Sequence, residues 1–202
     1  HLGVKGKIEN LLAEGDKKAV MVNDVVESLI AESTANNWIT PRAMYQFFPA
    51  QADGNKIYIY DSVNSGKIIE TFEFPRQEVA PGLCLADFLR PVGDSEMDYV
   101  GFFAVTAGKG IRQVAEKLKN EGRFLESHAL QALALEYQGQ RFSFGYPACP
   151  ELDDQKKLFK LIQPEDIGIN LTDGCMMEPE ASVTALVFSH PEARYFNVLR
   201  NG

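Results

Sequence analysis

Apolar residues change their spacing several times along this chain, and the order of those changes limits the fold more than any single motif does. From Lys5 to about Asn36 they recur at helical spacing, at Ile8, Leu11 and Leu12, then at Ala19, Val22, Val25, Val26, Leu29 and Ile30. Gly15 and Asp16 interrupt the pattern, and Asp16 is the expected N-cap of a second helix. The next stretch reads as strands. AMYQFFPA (43–50) predicts a buried strand stopped by Pro49, and Asp-Gly-Asn turn chemistry leads into a strand over Lys56 to Tyr60. KIIETFEFP alternates from Ile69 to Phe74, as a strand with one wet face does, and this meander predicts antiparallel pairing. DYVGFFAVTAG (98–108) is apolar on both faces, which predicts a central strand. Lys109 to Gln138 is helical again, loosened at Gly122, and ELDDQKKLFKLI (151–162) predicts a short helix with acids in its first turn. Residues 167–190 predict two strands joined around Pro179, and ARYFNVL a final short strand. The sum is an α+β fold, a mainly antiparallel twisted sheet with helices packed on it. Strand and helix do not alternate as a doubly wound nucleotide fold requires.

Composition narrows the function classes. With 202 residues, 45% of them hydrophobic, the chain suits one compact domain and needs neither disulfide nor metal to hold a core. Three widely spaced cysteines, Cys84, Cys149 and Cys175, form no CxxC pair, which points to a reducing, cytoplasmic setting. A net charge of −8 and a pI near 5.0 argue against a nucleic-acid partner, and no apolar run is long enough for a membrane span. The first residue is His1 and not methionine, so the chain is expected to be a piece of a longer polypeptide.

Several local patterns have ordinary readings. TAGKG (106–110) lacks both the third glycine of the dinucleotide fingerprint and the ending of a P-loop, so a strand-to-helix turn accounts for it. His128 and His190 lack chelating partners at the usual spacings, and SHPE (189–192) is a turn. Cys149, between Ala148 and Pro150, reads as a packed and inert thiol. Glu136 and Arg141 stand five residues apart, an arrangement that serves a simple ion pair or a zwitterionic amino-acid ligand equally well. Tyr195 and Phe196 read as core packing by default, although an aromatic face also suits a sulfonium.

RFSFGYPACPE (141–151) reads either as a turn that packs aromatics or as a ligand cradle, because two prolines three residues apart exclude both a helix interior and a central strand. It resembles the R-x-x-x-G-Y-P-A-C-P signature of the S-adenosylmethionine-binding reactivation domain of cobalamin-dependent methionine synthases. HLGVKG (1–6), YQFFPAQADGNKIYIYD (45–61), CLADFLRP (84–91), DYVGFFAVTAG (98–108) and ASVTALVFSHPEARYF (181–196) resemble the same domain in the same order.

The resemblance implies a single C-shaped domain spanning 1–202, with the α+β fold already described. It implies that the chain binds S-adenosylmethionine and presents it to cob(II)alamin carried by another domain of the same enzyme. Flavodoxin or a similar reductase supplies the electron, and reductive methylation restores a methyltransferase of methionine biosynthesis. Zinc is held by yet another domain. Carried over by position, Arg141 would clamp the ligand carboxylate, and Ser143, where the family often has alanine, would contribute backbone contacts. Gly145 would allow close approach, and Tyr146, Pro147 and Ala148 would form a stiff wall. Glu136 matches an acidic position, and Tyr195 and Phe196 an aromatic pair that is often Tyr-Tyr, so Phe196 lacks one hydroxyl. LEYQGQR (135–141) is shorter than the family's connector between the helical acid and the arginine. A different reading of the same residues is a free-standing partner that docks on a separate corrinoid protein.

Overall fold

The computed structural model describes residues 7–108, 110–135, 142–194, 196 and 198. The chain divides into two compact units. The first contains His1–Arg42, Thr106–Tyr137 and Pro179–Ser182, and the second contains Ala43–Val105, Gln138–Glu178 and Val183–Gly202.

Helices build the first unit. α1 (Ile8–Ala13) buries no residue fully, and α2 (Lys17–Ala35) starts where expected, with the Asp16 carboxylate accepting the Ala19 N–H at 2.8 Å. The segment from 111 to 135 is two helices and not one loosened helix: α3 (Ile111–Asn120) and α4 (Phe124–Leu135). Gly122 ends α3 because its φ of +81° is left-handed, a conformation that side chains with a Cβ resist. Leu29, Ile111, Ala115, Leu118, Ala129 and Leu130 form the small core of this unit. Arg123 ties two of its helices together through two hydrogen bonds to the Glu32 carboxylate, at 2.7 and 3.2 Å.

The described residues of TAGKG lie between a strand that ends at Thr106 and α3, the place of the expected strand-to-helix turn, and Thr40 packs against them. The Gly108 N–H donates to Thr106 Oγ1 at 3.1 Å, and the Thr40 N–H donates to the Ala107 carbonyl at 2.8 Å. A Cβ on Gly108 would strike Thr40, so a side-chain-free residue is required here for packing.

The second unit holds a five-stranded antiparallel sheet in the order β3 (Ile68–Glu73), β2 (Lys56–Tyr60), β1 (Arg42–Asp53), β4 (Asp98–Thr106), β7 (Ser182–Phe188). β1 (Arg42–Asp53) and β2 (Lys56–Tyr60) pair from Asp53↔Lys56 to Ala50↔Ile59 across a tight Gly54-Asn55 turn, and β3 (Ile68–Glu73) continues the meander. β1 does not stop at Pro49. Its ladder with β2 ends at Ala50, and Ala52 directs its own N–H and C=O away from β2, toward Arg90 and Val92. Bonding direction alternates along a strand, so the Pro49 nitrogen faces the β2 side where no rung remains, and no hydrogen bond is forfeited.

β4 (Asp98–Thr106) lies between β1 and β7 (Ser182–Phe188), the interior position its two-sided apolar pattern predicts. The predicted acids of the 151–162 helix, Asp153 and Asp154, sit in a 3-10 turn, and α5 (Gln155–Ile162) follows it. The 167–190 region forms a short hairpin of β5 (Asn170–Leu171) and β6 (Met177–Glu178), separate from β7. A turn closed by the Thr172 N–H to the Met176 carbonyl, 2.9 Å, keeps that hairpin brief. The described residues of ARYFNVL take no strand conformation, because Val198 sends its N–H to Pro147 instead of a ladder neighbour.

Phenylalanines fill the core of this unit. Phe72 is fully buried and stacks on Phe74, Phe102 and Phe144 with centroids 6.0, 5.6 and 6.0 Å away. Phe72→Ala is expected to cost about 3–5 kcal/mol in urea unfolding, whereas Phe47→Ala, on the solvent side of β1, stays within about 0.5 kcal/mol. Equal costs would contradict this placement of the core.

Candidate functional site

The motif begins as one more rung on the outer edge of the sheet. Phe142 donates to the Leu186 carbonyl at 3.3 Å and accepts the Leu186 N–H at 3.0 Å, which adds a single antiparallel bridge to edge strand β7. Side-chain alternation then sends Phe142 and Phe144 inward, 3% and 4% exposed. The same alternation turns the backbone groups of Ser143 away from β7, toward the open edge of the sheet.

After Phe144 the chain folds onto itself. The Gly145 N–H donates to the Cys149 carbonyl and the Cys149 N–H to the Tyr146 carbonyl, both at 2.9 Å. Ser143 closes the base of this turn by accepting the Cys149 S–H at 2.7 Å and the Tyr146 N–H at 3.3 Å through its carbonyl. Gly145 sits at φ +82°, and a Cβ there would come within 3.2 Å of Leu152 Cδ1. Turn geometry and packing thus both demand glycine at this position.

The wall residues divide by burial. Ala148 is fully buried, Pro147 is half-buried with its carbonyl accepting the Val198 N–H at 3.2 Å, and Tyr146 is 58% exposed. The Ser143 hydroxyl is buried and finds no hydrogen-bond partner among the described residues. A buried hydroxyl in that condition is an anomaly, because such groups ordinarily have a partner, water or ligand.

Phe196 lies in the core, 7% exposed, with its ring 6.1 Å from Phe88 and 6.4 Å from Phe142. Arg141, Glu136 and Tyr195 lie outside the described residues. Sequence reasoning named neither Phe88 nor Val198 as supports of the motif. CLADFLRP carried Phe88 in plain view, but nothing in its spacing signals the contact with Phe142 at 6.3 Å.

Cys149 behaves as expected of a packed thiol. Burial, together with the nearby Asp154 carboxylate, pushes its pKa up to about 12. Among the described residues, no group of three or more His, Cys, Asp or Glu side chains could hold a metal ion. No helix among them is long and apolar enough to cross a membrane. A shallow groove of about 650 Å³ elsewhere in this unit is lined by Lys156, Phe159, Lys160, Gln163, Glu165, Asp166 and Leu171. Its lysines are spent on Asp153 at 2.8 Å and Glu70 at 3.1 Å, so it offers no uncompensated cation.

Two outcomes follow from the turn. Gly145→Ala is expected to destabilise the protein by about 1–3 kcal/mol in chemical denaturation, from the left-handed backbone and the Leu152 contact. Cys149 is expected to resist alkylation at pH 8 in the folded protein and to react at the rate of unfolding; fast native labelling would contradict its burial.

The family model described as the vitamin B12 dependent methionine synthase activation domain matches residues 3–134 and 125–201. The two segments overlap on α4, directly before the motif. The chain is 34% identical over 200 residues to the methionine synthase of Mycobacterium tuberculosis, covering 77% of this chain and 17% of that protein. It is 32% identical to the Mycobacterium leprae methionine synthase, with the same coverage of 77% and 17%. The chain therefore spans about a sixth of the length of these curated relatives. A crystal structure of the MetH reactivation domain bound to AdoHcy superposes with a TM-score of 0.83 at 26% identity, covering 96% of this chain and 73% of that one. With the family model matched along nearly the whole chain, the protein belongs to the vitamin B12 dependent methionine synthase activation-domain family.

Proposed function

We propose that this chain binds S-adenosylmethionine along the motif edge and presents its methyl group to a cobalamin carried by another domain of a methionine synthase. One observation carries the reading: the fold matches, over 96% of its length, a reactivation domain whose structure is bound to AdoHcy, the demethylated form of that ligand. In the complete enzyme S-adenosylmethionine supplies an activated methyl group, and flavodoxin or a similar reductase supplies the electron that accompanies its transfer. Zinc belongs to yet another domain.

The residues of the motif suit such a ligand. An adenine edge needs backbone hydrogen-bonding groups on an open strand, and the alternation set by Phe142 turns the Ser143 N–H outward, while its carbonyl is taken up by Cys149 and Tyr146 within the turn. The Ser143 hydroxyl is buried and has no partner among the described residues, so it is a further hydrogen-bonding group left for a bound ligand or water to satisfy. Tyr146 offers an exposed ring for apolar contact beside it. Pro147 and Ala148 hold the turn stiff, which lowers the entropy lost when a ligand settles on it.

Arg141 immediately precedes Phe142 in sequence, and we assign it the ligand carboxylate, because a guanidinium matches a carboxylate with two hydrogen bonds. Glu136 is assigned the ligand ammonium and Tyr195 the aromatic support, whereas Phe196, buried in the core, supports the motif from behind. These residues bind and orient; the reactivity belongs to the ligand and the cobalamin. Arg141→Ala is expected to weaken S-adenosylmethionine binding by about 1.5–3 kcal/mol in titration calorimetry, the range for charge-assisted bonds. Native-like affinity in that variant removes the assignment of Arg141, and no saturable binding by the native chain removes the reading itself.

A further inference from the structure

β7 ends at Phe188, and the chain must turn back at once for Phe196 to rejoin the core it has just left. His190 makes that turn with two acceptors. Its backbone carbonyl accepts the Ala193 N–H at 3.0 Å, and its Nδ1 accepts the Glu192 N–H at 3.1 Å. Pro191 has no N–H, so Glu192 is the first donor after His190, and the imidazole takes it. The half-buried ring lies 5.7 Å from Phe88, the same ring that meets Phe142 at 6.3 Å and Phe196 at 6.1 Å. Past the turn, the Val198 N–H reaches the Pro147 carbonyl inside the motif at 3.2 Å.

We propose that His190 is a positioning residue for the motif: its Nδ1 fixes the 190–193 turn, and the turn aims Phe196 and Val198 at Phe142 and Pro147. Nδ1 is the acceptor, so the ring carries its proton on Nε2. Packing alone does not select histidine here. A leucine would cover Phe88 as well, but only a short side chain with an acceptor can hold the N–H two residues on. Asparagine and aspartate do the same in Asx turns. The effect on the 196–198 segment stands by itself, whereas the consequence for ligand binding rests on the S-adenosylmethionine reading above.

Two substitutions separate the acceptor from the packing. His190→Leu keeps an apolar contact to Phe88 and removes the acceptor, and His190→Asn does the reverse. S-adenosylhomocysteine is titrated by calorimetry into the native chain and both variants, and amide hydrogen exchange is followed at Val198. His190→Leu is expected to weaken binding by about threefold to tenfold, the worth of one hydrogen bond, and to speed Val198 exchange by a similar factor. His190→Asn is expected to remain within about twofold of the native protein in both. Native behaviour of His190→Leu, or a His190→Asn as impaired as His190→Leu, overturns the proposal. If the native chain binds no S-adenosylhomocysteine, the functional reading fails, and Val198 exchange alone decides the role of His190.

Discussion

Phe142 joins the motif to the sheet in two ways, and the local architecture of the motif depends on both. Its backbone exchanges two hydrogen bonds with Leu186, and its ring packs among Phe88, Phe188 and Phe196. The backbone pair sets the register, which decides that Phe144 also points inward and that Ser143 faces the open edge. The ring contacts make that register costly to slip, because a shift of one residue would put Phe142 and Phe144 on the wrong face. Aromatic pairs of this kind add about 0.5–1.5 kcal/mol each beyond the burial of their area. The turn that follows then needs little further support: three backbone hydrogen bonds, the Cys149 thiol and a glycine in the left-handed region complete it.

The same cluster explains why a distant C-terminal segment matters to the motif. Phe196 closes the aromatic group from one side and Val198 holds Pro147 from another. The prolines therefore stiffen a turn that is also anchored from outside. Rigidity in this segment is a property of three chain regions together, the 84–91 stretch, the motif and the residues after β7.

Much of this was legible in the sequence, where periodicity is a direct consequence of burial. Asp16 capped α2, Asp-Gly-Asn closed the first hairpin, and the two-sided apolar run at 98–106 became an interior strand. Two of the errors share a physical cause, since both depended on what lay opposite in space. Pro49 is tolerated within β1 only because the β2 ladder has already ended, and Val198 leaves strand geometry because Pro147 offers it a carbonyl. For the motif, the inert Cys149 could be argued from the residues, while the roles given to Gly145, Arg141, Glu136 and Tyr195 came from family resemblance. The unpartnered hydroxyl of Ser143 had no signal in the sequence, because only the folded turn buries it.

The central claim is that a ligand of the S-adenosylmethionine class settles on the outward edge of the motif. Titration of S-adenosylhomocysteine into isotopically labelled protein, followed at each backbone amide, tests it most directly. The account predicts that the amides of Ser143, Gly145, Tyr146 and Ala148 shift first and saturate together, with Val198 following. Saturating shifts centred instead on the groove around Lys156, Lys160 and Asp166, with the motif amides unmoved, would contradict it.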